Sequence, residues 1–213
     1  MSVLRRRARP PFKLLSLLLQ YPGDEVLANR PAIAEAIAAL PPSPARTGLE
    51  RFFARFAGAP AVELQQEYVE TFDLQRRCSL YLTYGTEGDT RRRGMALLRL
   101  KRLYAAGGLS LEGSELPDYL PVMLEFAALA PDGHGRRLLA EHRAGLELLR
   151  MGLRERASPY LALVEVVCAD LPRPAAGELE RLRTIAAEGP PTEEVGLQPF
   201  APPEVMPAQQ ARR

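Results

Sequence analysis

Apolar side chains recur every three or four residues along most of this 213-residue chain, which is the spacing of one face of an α-helix. Leu64, Tyr68 and Phe72, for example, stand four residues apart in one segment. Long alternations of apolar and polar residues, which would indicate strands, are absent, and no repeat of fixed period is found. Because successive helices with short connections pack against one another, we predict an all-α fold, a single-domain multi-helix bundle.

The helix boundaries follow from capping residues, glycines and prolines. In the helix that Asp89 is expected to cap, Met95, Leu98 and Leu103 are expected to face inward, with Arg91, Arg99 and Arg102 outward. In the segment "ELPDYLPVMLEF", Asp118 is the expected N-cap, and Pro121 falls in the first turn, where its missing N–H has no intrahelical partner. The expected helices cover residues 12–20, 24–40 with an interruption at Pro31, one from 47, one from 60, one from 89, one from 118, 134–156, 158–170 and 178–187.

The two ends of the chain differ from its middle. Residues 1–11 form a basic extension, residues 12–188 the predicted helical domain, and residues 189–213 a Pro-rich tail without periodicity that we expect to be disordered. Arginines precede the apolar run Leu14–Leu19, as in an export signal. The run is too short for such a signal, however, and no small-residue cleavage site follows it. We therefore expect a cytoplasmic protein with no stable membrane insertion.

Charge and cysteine content argue against some classes of protein. The 28 Lys and Arg residues nearly balance the 26 Asp and Glu residues, giving a net charge of +2. A dedicated nucleic-acid binder would show a clear basic excess, so no nucleic-acid partner is expected. Cys78 and Cys168 lie far apart, which fits a reducing compartment, and both are expected to be buried.

A search for catalytic residues favours a protein that is not an enzyme. His134 and His142 are the only histidines, and no HExxH, CxxC or GxSxG motif is present, so neither a metal nor another cofactor is predicted. Two alternatives stay open at this stage. The stretch "GTEGDTRRRG" could bind phosphate in a small helical nucleotide-binding protein or enzyme, and the Arg clusters could serve a DNA-binding regulator.

Acidic and aromatic residues gather in two parts of the chain and predict a binding site for a peptide that is both cationic and apolar. The first group lies in and around "ELPDYLPVMLEF", and the second lies near the segment that begins at residue 60. The predicted peptide-binding residues are Tyr68, Phe72, Glu115, Asp118, Tyr119, Glu125 and Phe126, with Glu63, Glu67, Glu70 and Tyr81 as weaker candidates.

Two long stretches resemble a known family. "YVETFDLQRRCSLYLTYGTEGDTRRRGMALLRLKRLY" and "ELPDYLPVMLEFAA" are similar to the nitrate reductase molybdenum-cofactor assembly chaperones (delta-subunit proteins), which belong to the TorD/DmsD-like redox-enzyme maturation chaperones. The likeness extends from about Phe12 to Asp170.

This resemblance implies an all-helical cytoplasmic chaperone that is not an enzyme. Such a chaperone binds the N-terminal segment of a molybdoenzyme catalytic subunit, here the alpha subunit of respiratory nitrate reductase. It keeps that subunit competent for molybdenum-cofactor insertion and delays its docking to the membrane. Cofactor-delivery proteins are further partners that the resemblance implies.

The wider superfamily has a hinge motif of the form acidic–Pro–x–Asp–His that helps to bind the leader peptide. Glu115, Asp118 and Tyr119 match its first, fourth and fifth places, while the proline is displaced to Pro117 and a tyrosine replaces the histidine. The resemblance therefore implies a hinge at which Glu115, Asp118 and Tyr119 face the peptide. A titratable imidazole is missing from this version of the motif.

Overall fold

The computed structural model describes residues 11–111, 113–130 and 133–188. These residues form twelve α-helices and no named strand, which confirms the predicted all-α fold. A π-helical turn (Val69–Asp73) extends α5, and a 3₁₀ turn (Arg76–Cys78) precedes α6. The helices are α1 (Phe12–Leu18), α2 (Asp24–Ala28), α3 (Arg30–Ala38), α4 (Pro44–Phe56), α5 (Ala61–Tyr68), α6 (Leu82–Glu87), α7 (Arg91–Ala106), α8 (Leu120–Leu129), α9 (His134–Glu141), α10 (Arg143–Glu155), α11 (Leu161–Asp170) and α12 (Ala176–Glu188).

One continuous hydrophobic core joins α1 to α11. α1 packs against α8, α4 packs against α11, and α10 contacts α6, α9, α11 and α12. The Ser16 hydroxyl, buried in the α1–α8 interface, donates a 2.8 Å hydrogen bond to the Pro121 carbonyl. Both cysteines are buried free thiols, as predicted, and burial raises the pKa of Cys168 to about 11.

The predicted helix over residues 134–156 is wrong in one respect, because the chain turns at His142 and forms two helices. Arg143, at the start of α10, is buried and donates to the Cys168 carbonyl at 2.6 Å and to Glu147 at 2.9 Å. The His142 Nδ1 atom lies 2.9 Å from the Leu138 carbonyl, one of the last carbonyls of α9. The turn is therefore held by contacts with a distant helix, α11.

The interruption between α2 and α3 falls at Asn29 and not at Pro31 as predicted. Pro31 lies inside the first turn of α3, where its missing N–H leaves no intrahelical bond unmade. Residues 1–10 and 189–213, which include the predicted tail and nearly all of the predicted basic extension, lie outside the described residues, and the three-part division of the chain stays a prediction.

The inward face of α7 also differs from the prediction. Leu100 and Tyr104 are its buried residues, whereas Met95 and Leu98 are 57% and 41% exposed. The cause is Arg93, which lies in the first turn of α7 and points inward towards Asp118. The N-cap position of α7 belongs to Thr90, and Asp89 instead pairs with Arg93 at 2.9 Å.

Gly145 sets the distance between α10 and α6. A Cβ atom at this position would lie only 2.4 Å from the Leu82 carbonyl oxygen, so no larger residue fits without a shift of the backbone. The close approach places the first turn of α6 beside the segment that contains Asp118.

Candidate functional site

The segment before α8 crosses the segment before α6. Tyr81 and Tyr119 form an isolated antiparallel bridge. The Leu82 N–H donates to the Asp118 carbonyl at 3.0 Å, and the Leu120 N–H donates to the Leu80 carbonyl at 2.8 Å. This crossing fixes two segments that are 38 residues apart in sequence, and it brings the acidic and aromatic residues of both into one region.

Asp118 is fully buried at this crossing and caps α6 instead of α8. Its Oδ2 atom accepts hydrogen bonds from the Thr83 hydroxyl at 2.6 Å and from the Thr83 N–H at 3.3 Å. The N-cap position of α8 belongs to Tyr119, without a side-chain cap, so the predicted capping role of Asp118 is wrong. Pro121 does lie in the first turn of α8, as predicted.

Arg93 balances the charge of the buried carboxylate. Its Nη2 atom lies 3.7 Å from Asp118 Oδ2, its Nη1 atom lies 2.9 Å from Asp89, and its guanidinium lies 5.4 Å from the centre of the Tyr84 ring. Asp118 Oδ1 and Arg93 Nε are buried without a hydrogen-bond partner among the described residues. We call Thr83, Tyr84, Asp89, Arg93 and Asp118 the Asp118 cluster.

Three tyrosines connect this crossing to the core. The Tyr68 and Tyr119 hydroxyls lie 2.9 Å apart, and the Tyr81 and Tyr119 rings are 5.3 Å apart between centroids. The Tyr81 hydroxyl donates to Glu115 at 3.2 Å. Burial raises the pKa of Tyr81 to about 12, with the Glu115 carboxylate adding to the effect, and burial also raises the pKa values of Tyr68 and Tyr119.

Beside the tyrosines lies an apolar cavity with acids among its lining residues, which we call the groove. Its volume is about 290 Å³. The Tyr104 and Phe126 rings pack at 4.8 Å, and the Tyr104 hydroxyl donates to the Pro117 carbonyl at 2.6 Å. Glu115 and Glu125 supply the carboxylates, and Lys13 of α1 forms an ion pair with Glu125. The lining residues are Tyr104, Leu109, Ser110, Leu111, Glu115, Val122, Glu125, Phe126 and Leu129.

The structure therefore brings three of the predicted site residues, Glu115, Glu125 and Phe126, into one cavity. Tyr81 and Tyr119 adjoin it through Glu115. The side chains of Asp118, Tyr68 and Phe72 lie inside the protein, and the Phe72 ring packs 4.8 Å from Tyr68.

The apolar lining contributed by Tyr104, Leu109, Leu111, Val122 and Leu129 was absent from the predicted site. A sequence signal for part of it exists, because apolar residues follow the pair Gly107–Gly108, which ends α7. Gly107 also sits close to the lining, since a Cβ atom there would lie 3.0 Å from the Phe126 ring.

The weaker candidates on and after α5 lie elsewhere. Glu67 is half-buried and pairs with Arg55 at 3.0 Å, whereas Glu63 and Glu70 are exposed. Glu70 lines a second, more open cavity of about 430 Å³, which we call the α5 surface. Its other lining residues are Tyr21, Val62, Gln65, Gln66, Val69 and Leu74, of which Tyr21, Val62 and Leu74 are exposed apolar side chains.

The described ranges offer neither a metal-binding group nor a membrane-spanning helix. Their histidines, cysteines and carboxylates include no group of three or more that could hold a metal ion. None of their helices combines the length and the hydropathy that crossing a membrane requires.

Residues 38–165 match the family described as nitrate reductase delta subunit. The chain belongs to this family. The match spans α4 to the first half of α11 and therefore includes the crossing, the Asp118 cluster and the groove.

Similar proteins agree with this assignment. NarJ of Bacillus subtilis is 36% identical over 160 residues, which cover 75% of this chain and 87% of that protein. The Escherichia coli protein named nitrate reductase molybdenum cofactor assembly chaperone NarJ is 34% identical over 157 residues, covering 72% of this chain and 66% of that protein. The nitrate reductase-like protein NarX of Mycobacterium tuberculosis is 40% identical over 153 residues, 72% of this chain, and the chain spans only 23% of its length.

A solved structure has the same fold. A redox enzyme maturation protein from Archaeoglobus fulgidus superposes with a TM-score of 0.57 at 26% sequence identity, covering 78% of this chain and 95% of that chain. The likeness supports the assignment of this helical bundle to the TorD/DmsD-like fold.

Proposed function

We propose that this protein is a cytoplasmic assembly chaperone for a molybdoenzyme, which we take to be respiratory nitrate reductase. It binds the N-terminal segment of the catalytic alpha subunit and keeps that subunit competent for molybdenum-cofactor insertion. The observation that carries this proposal is the groove, an apolar cavity with two carboxylates, in a chain whose relatives include a named assembly chaperone of nitrate reductase.

The groove has the chemistry that a cationic, amphipathic peptide requires. Its aromatic and aliphatic lining can bury one or two apolar side chains, at about 25 cal/mol per Å² removed from water. Glu115 and Glu125 can pair with Arg or Lys side chains of the same peptide, and a carboxylate accepts both branches of a guanidinium. Lys13 already occupies one such pairing position at Glu125, so this carboxylate is accessible to an ammonium group.

Residues of the crossing connect the groove to the core. Tyr81 donates to Glu115 and packs on Tyr119, and Tyr119 bonds to Tyr68 in the core. We propose that Tyr81 and Tyr119 position Glu115 for the peptide, and that Asp118, Tyr68 and Phe72 contribute by holding these residues in place.

The nucleotide-binding alternative has little support in the geometry. "GTEGDTRRRG" begins within α6 and ends in the first turn of α7, and no strand precedes it among the described residues. Arg93, one of the three arginines in this stretch, is directed towards Asp89 and Asp118. The NarJ relatives of Bacillus subtilis and Escherichia coli are named for assembly and not for a reaction, so we propose that the protein is not an enzyme.

Affinity capture tests this proposal. The full chain, carrying an affinity tag, is used to capture partners from a lysate of cells that respire nitrate, beside the double variant Glu115→Gln/Glu125→Gln. We expect the wild-type chain to recover the catalytic subunit of a molybdoenzyme, and the variant to recover less of it.

The matched control is Glu63→Gln/Glu70→Gln, which removes the same charge from α5 and should recover as much subunit as the wild type. Recovery of nucleotide or nucleic acid in place of an enzyme subunit would contradict the chaperone proposal.

A further inference from the structure

The outer face of α7 combines exposed apolar and basic side chains. Met95 and Leu98 are exposed, although leucine and methionine are usually buried in a core. At 100° per residue, Arg91, Met95, Leu98 and Arg102 fall along one line on the outside of the helix. Arg99 and Lys101 lie on opposite sides of that line. We call these residues, together with Arg92, the α7 outer face.

This face carries no negative charge of its own. The sequence of α7 contains six cationic residues and no Asp or Glu. Arg93 is turned inward, to Asp89 and Asp118. Arg92, Arg99, Lys101 and Arg102 are exposed, and no carboxylate of the described residues forms an ion pair with them. A partner for this face must therefore be anionic and must accept two apolar side chains.

We propose that the α7 outer face binds reversibly to an anionic lipid surface. A lipid layer presents phosphate groups on both sides of the exposed apolar pair, so Arg99 and Lys101 can be neutralised together while Met95 and Leu98 enter the interface. A cluster of four to eight Lys and Arg residues on an amphipathic helix is the usual sequence pattern of anionic-lipid binding.

The lipid-binding surface is separate from the groove. Tyr104, on the buried side of α7, lines the groove, whereas the α7 outer face lies on the opposite side of the same helix. The chain can thus hold a peptide and contact a lipid surface at the same time. Two exposed apolar residues provide little insertion energy by themselves, so binding depends on the charges and is weakened by salt.

The test measures sedimentation of the full chain with vesicles. Vesicles of phosphatidylcholine with about one third phosphatidylglycerol are compared with vesicles of phosphatidylcholine alone. We expect binding only to the anionic vesicles, with a loss of binding at high salt. Each cation near such a surface strengthens binding roughly fivefold, so Arg99→Gln/Arg102→Gln should weaken it about 25-fold. Leu98→Ser should weaken it several-fold.

Two matched variants make the result specific. Arg51→Gln/Arg181→Gln removes the same charge from exposed positions on α4 and α12 and should bind anionic vesicles as the wild type does. Arg99→Lys/Arg102→Lys keeps the charge and should also retain binding. Because the groove is untouched, all of these variants should capture the catalytic subunit normally, so failure of the lipid proposal is distinguishable from failure of the proposed chaperone function.

Three outcomes would overturn the proposal. The first is no sedimentation with anionic vesicles. The second is an equal loss of binding in Arg51→Gln/Arg181→Gln, which would mean that net charge alone is responsible. The third is binding of an oligoglutamate peptide that depends on Arg99 and Arg102 while vesicle binding does not, which would assign the face to an acidic protein segment.

Discussion

The segment from Glu115 to Phe126 contains three carboxylates that face two different environments. Asp118 is fully buried in the Asp118 cluster and is bonded to Thr83 and close to Arg93. Glu115 and Glu125 line the groove, and the Glu125 side chain is 43% exposed. A buried carboxylate is costly unless its partners stay in place, whereas an exposed one is free to exchange partners. Position within one short segment therefore separates residues that stabilise the site from residues available for binding.

The strongest test of this difference is Asp118→Ala. The substitution leaves the inward Arg93 guanidinium and the Thr83 hydroxyl without their buried partner, so we expect the free energy of unfolding to fall by about 3 kcal/mol. Urea unfolding measures the loss. Asp118→Asn, which keeps an acceptor for Thr83, should lose less. Normal stability with weakened peptide affinity would move Asp118 from the supporting cluster to the binding surface.

Alkaline pH should destabilise the fold through its buried tyrosines. Burial raises the pKa values of Tyr68, Tyr81, Tyr104, Tyr119 and Tyr160 in the folded protein above their unfolded value near 10. The unfolded state therefore ionises first, and stability that is complete below pH 10 is lost as the pH rises from 10 towards the folded values. At pH 10 the loss is about 0.4 kcal/mol for each tyrosine whose pKa is raised well above 10, as it is for Tyr68, Tyr104 and Tyr160.

The urea midpoint measured from pH 8 to pH 10.5 reports this loss together with the loss from the buried Cys78 and Cys168 thiols, whose pKa values burial also raises. Tyr119→Phe removes one of the five tyrosine hydroxyls, so the urea midpoint of this variant should fall less steeply with pH. A midpoint that stays constant up to pH 10.5 would mean that these tyrosines are far more accessible than the structure places them.

On the groove side, Glu115→Gln/Glu125→Gln should change affinity and not stability. Exposed ion pairs contribute up to about 1 kcal/mol, so we expect the Kd for a peptide from the catalytic-subunit N-terminus to rise roughly fivefold. Calorimetric titration gives the affinity, and urea unfolding should match the wild type apart from the lost Lys13–Glu125 pair. A large loss of stability with unchanged affinity would mean that Glu115 and Glu125 support the fold and do not bind the peptide.

Added salt should have the smallest effect. Screening acts over a Debye length of about 8 Å at physiological ionic strength, and it weakens the exposed pairs without weakening apolar burial. We expect peptide affinity to fall two- to threefold between low and high sodium chloride and then to level off. The Gln double variant should show almost no salt dependence, and a continued fall to no binding would indicate a purely electrostatic contact.

Sequence periodicity predicted the helical fold because each helix buries a stripe that local spacing reveals. It failed where a distant contact decides the local structure. At the break at His142, Arg143 bonds to the Cys168 carbonyl of α11. The face that α7 turns inward carries Arg93, which points to Asp118. Both partners lie about 25 residues away, and no local pattern records them.

The candidate site was predictable in its carboxylates and Phe126, and not in the rest of its apolar lining. Glu115, Glu125 and Phe126 lie on one segment, so their grouping follows from the sequence. Tyr104 joins them through its packing on Phe126 and its bond to the Pro117 carbonyl, and Leu109 through the turn after Gly107. The resemblance to a family carried no signal for either contact.

Photocrosslinking most directly tests the central claim that the groove binds the client peptide. A peptide from the N-terminus of the nitrate reductase catalytic subunit, carrying a benzophenone in place of one apolar residue, is irradiated with the full chain, and the adducts are located by mass spectrometry. The account predicts adducts at Leu109, Leu111, Val122 or Leu129, competed away by unlabelled peptide and reduced in Glu115→Gln/Glu125→Gln. Competed adducts confined to Tyr21, Val62 or Leu74 would contradict it and assign peptide binding to the α5 surface.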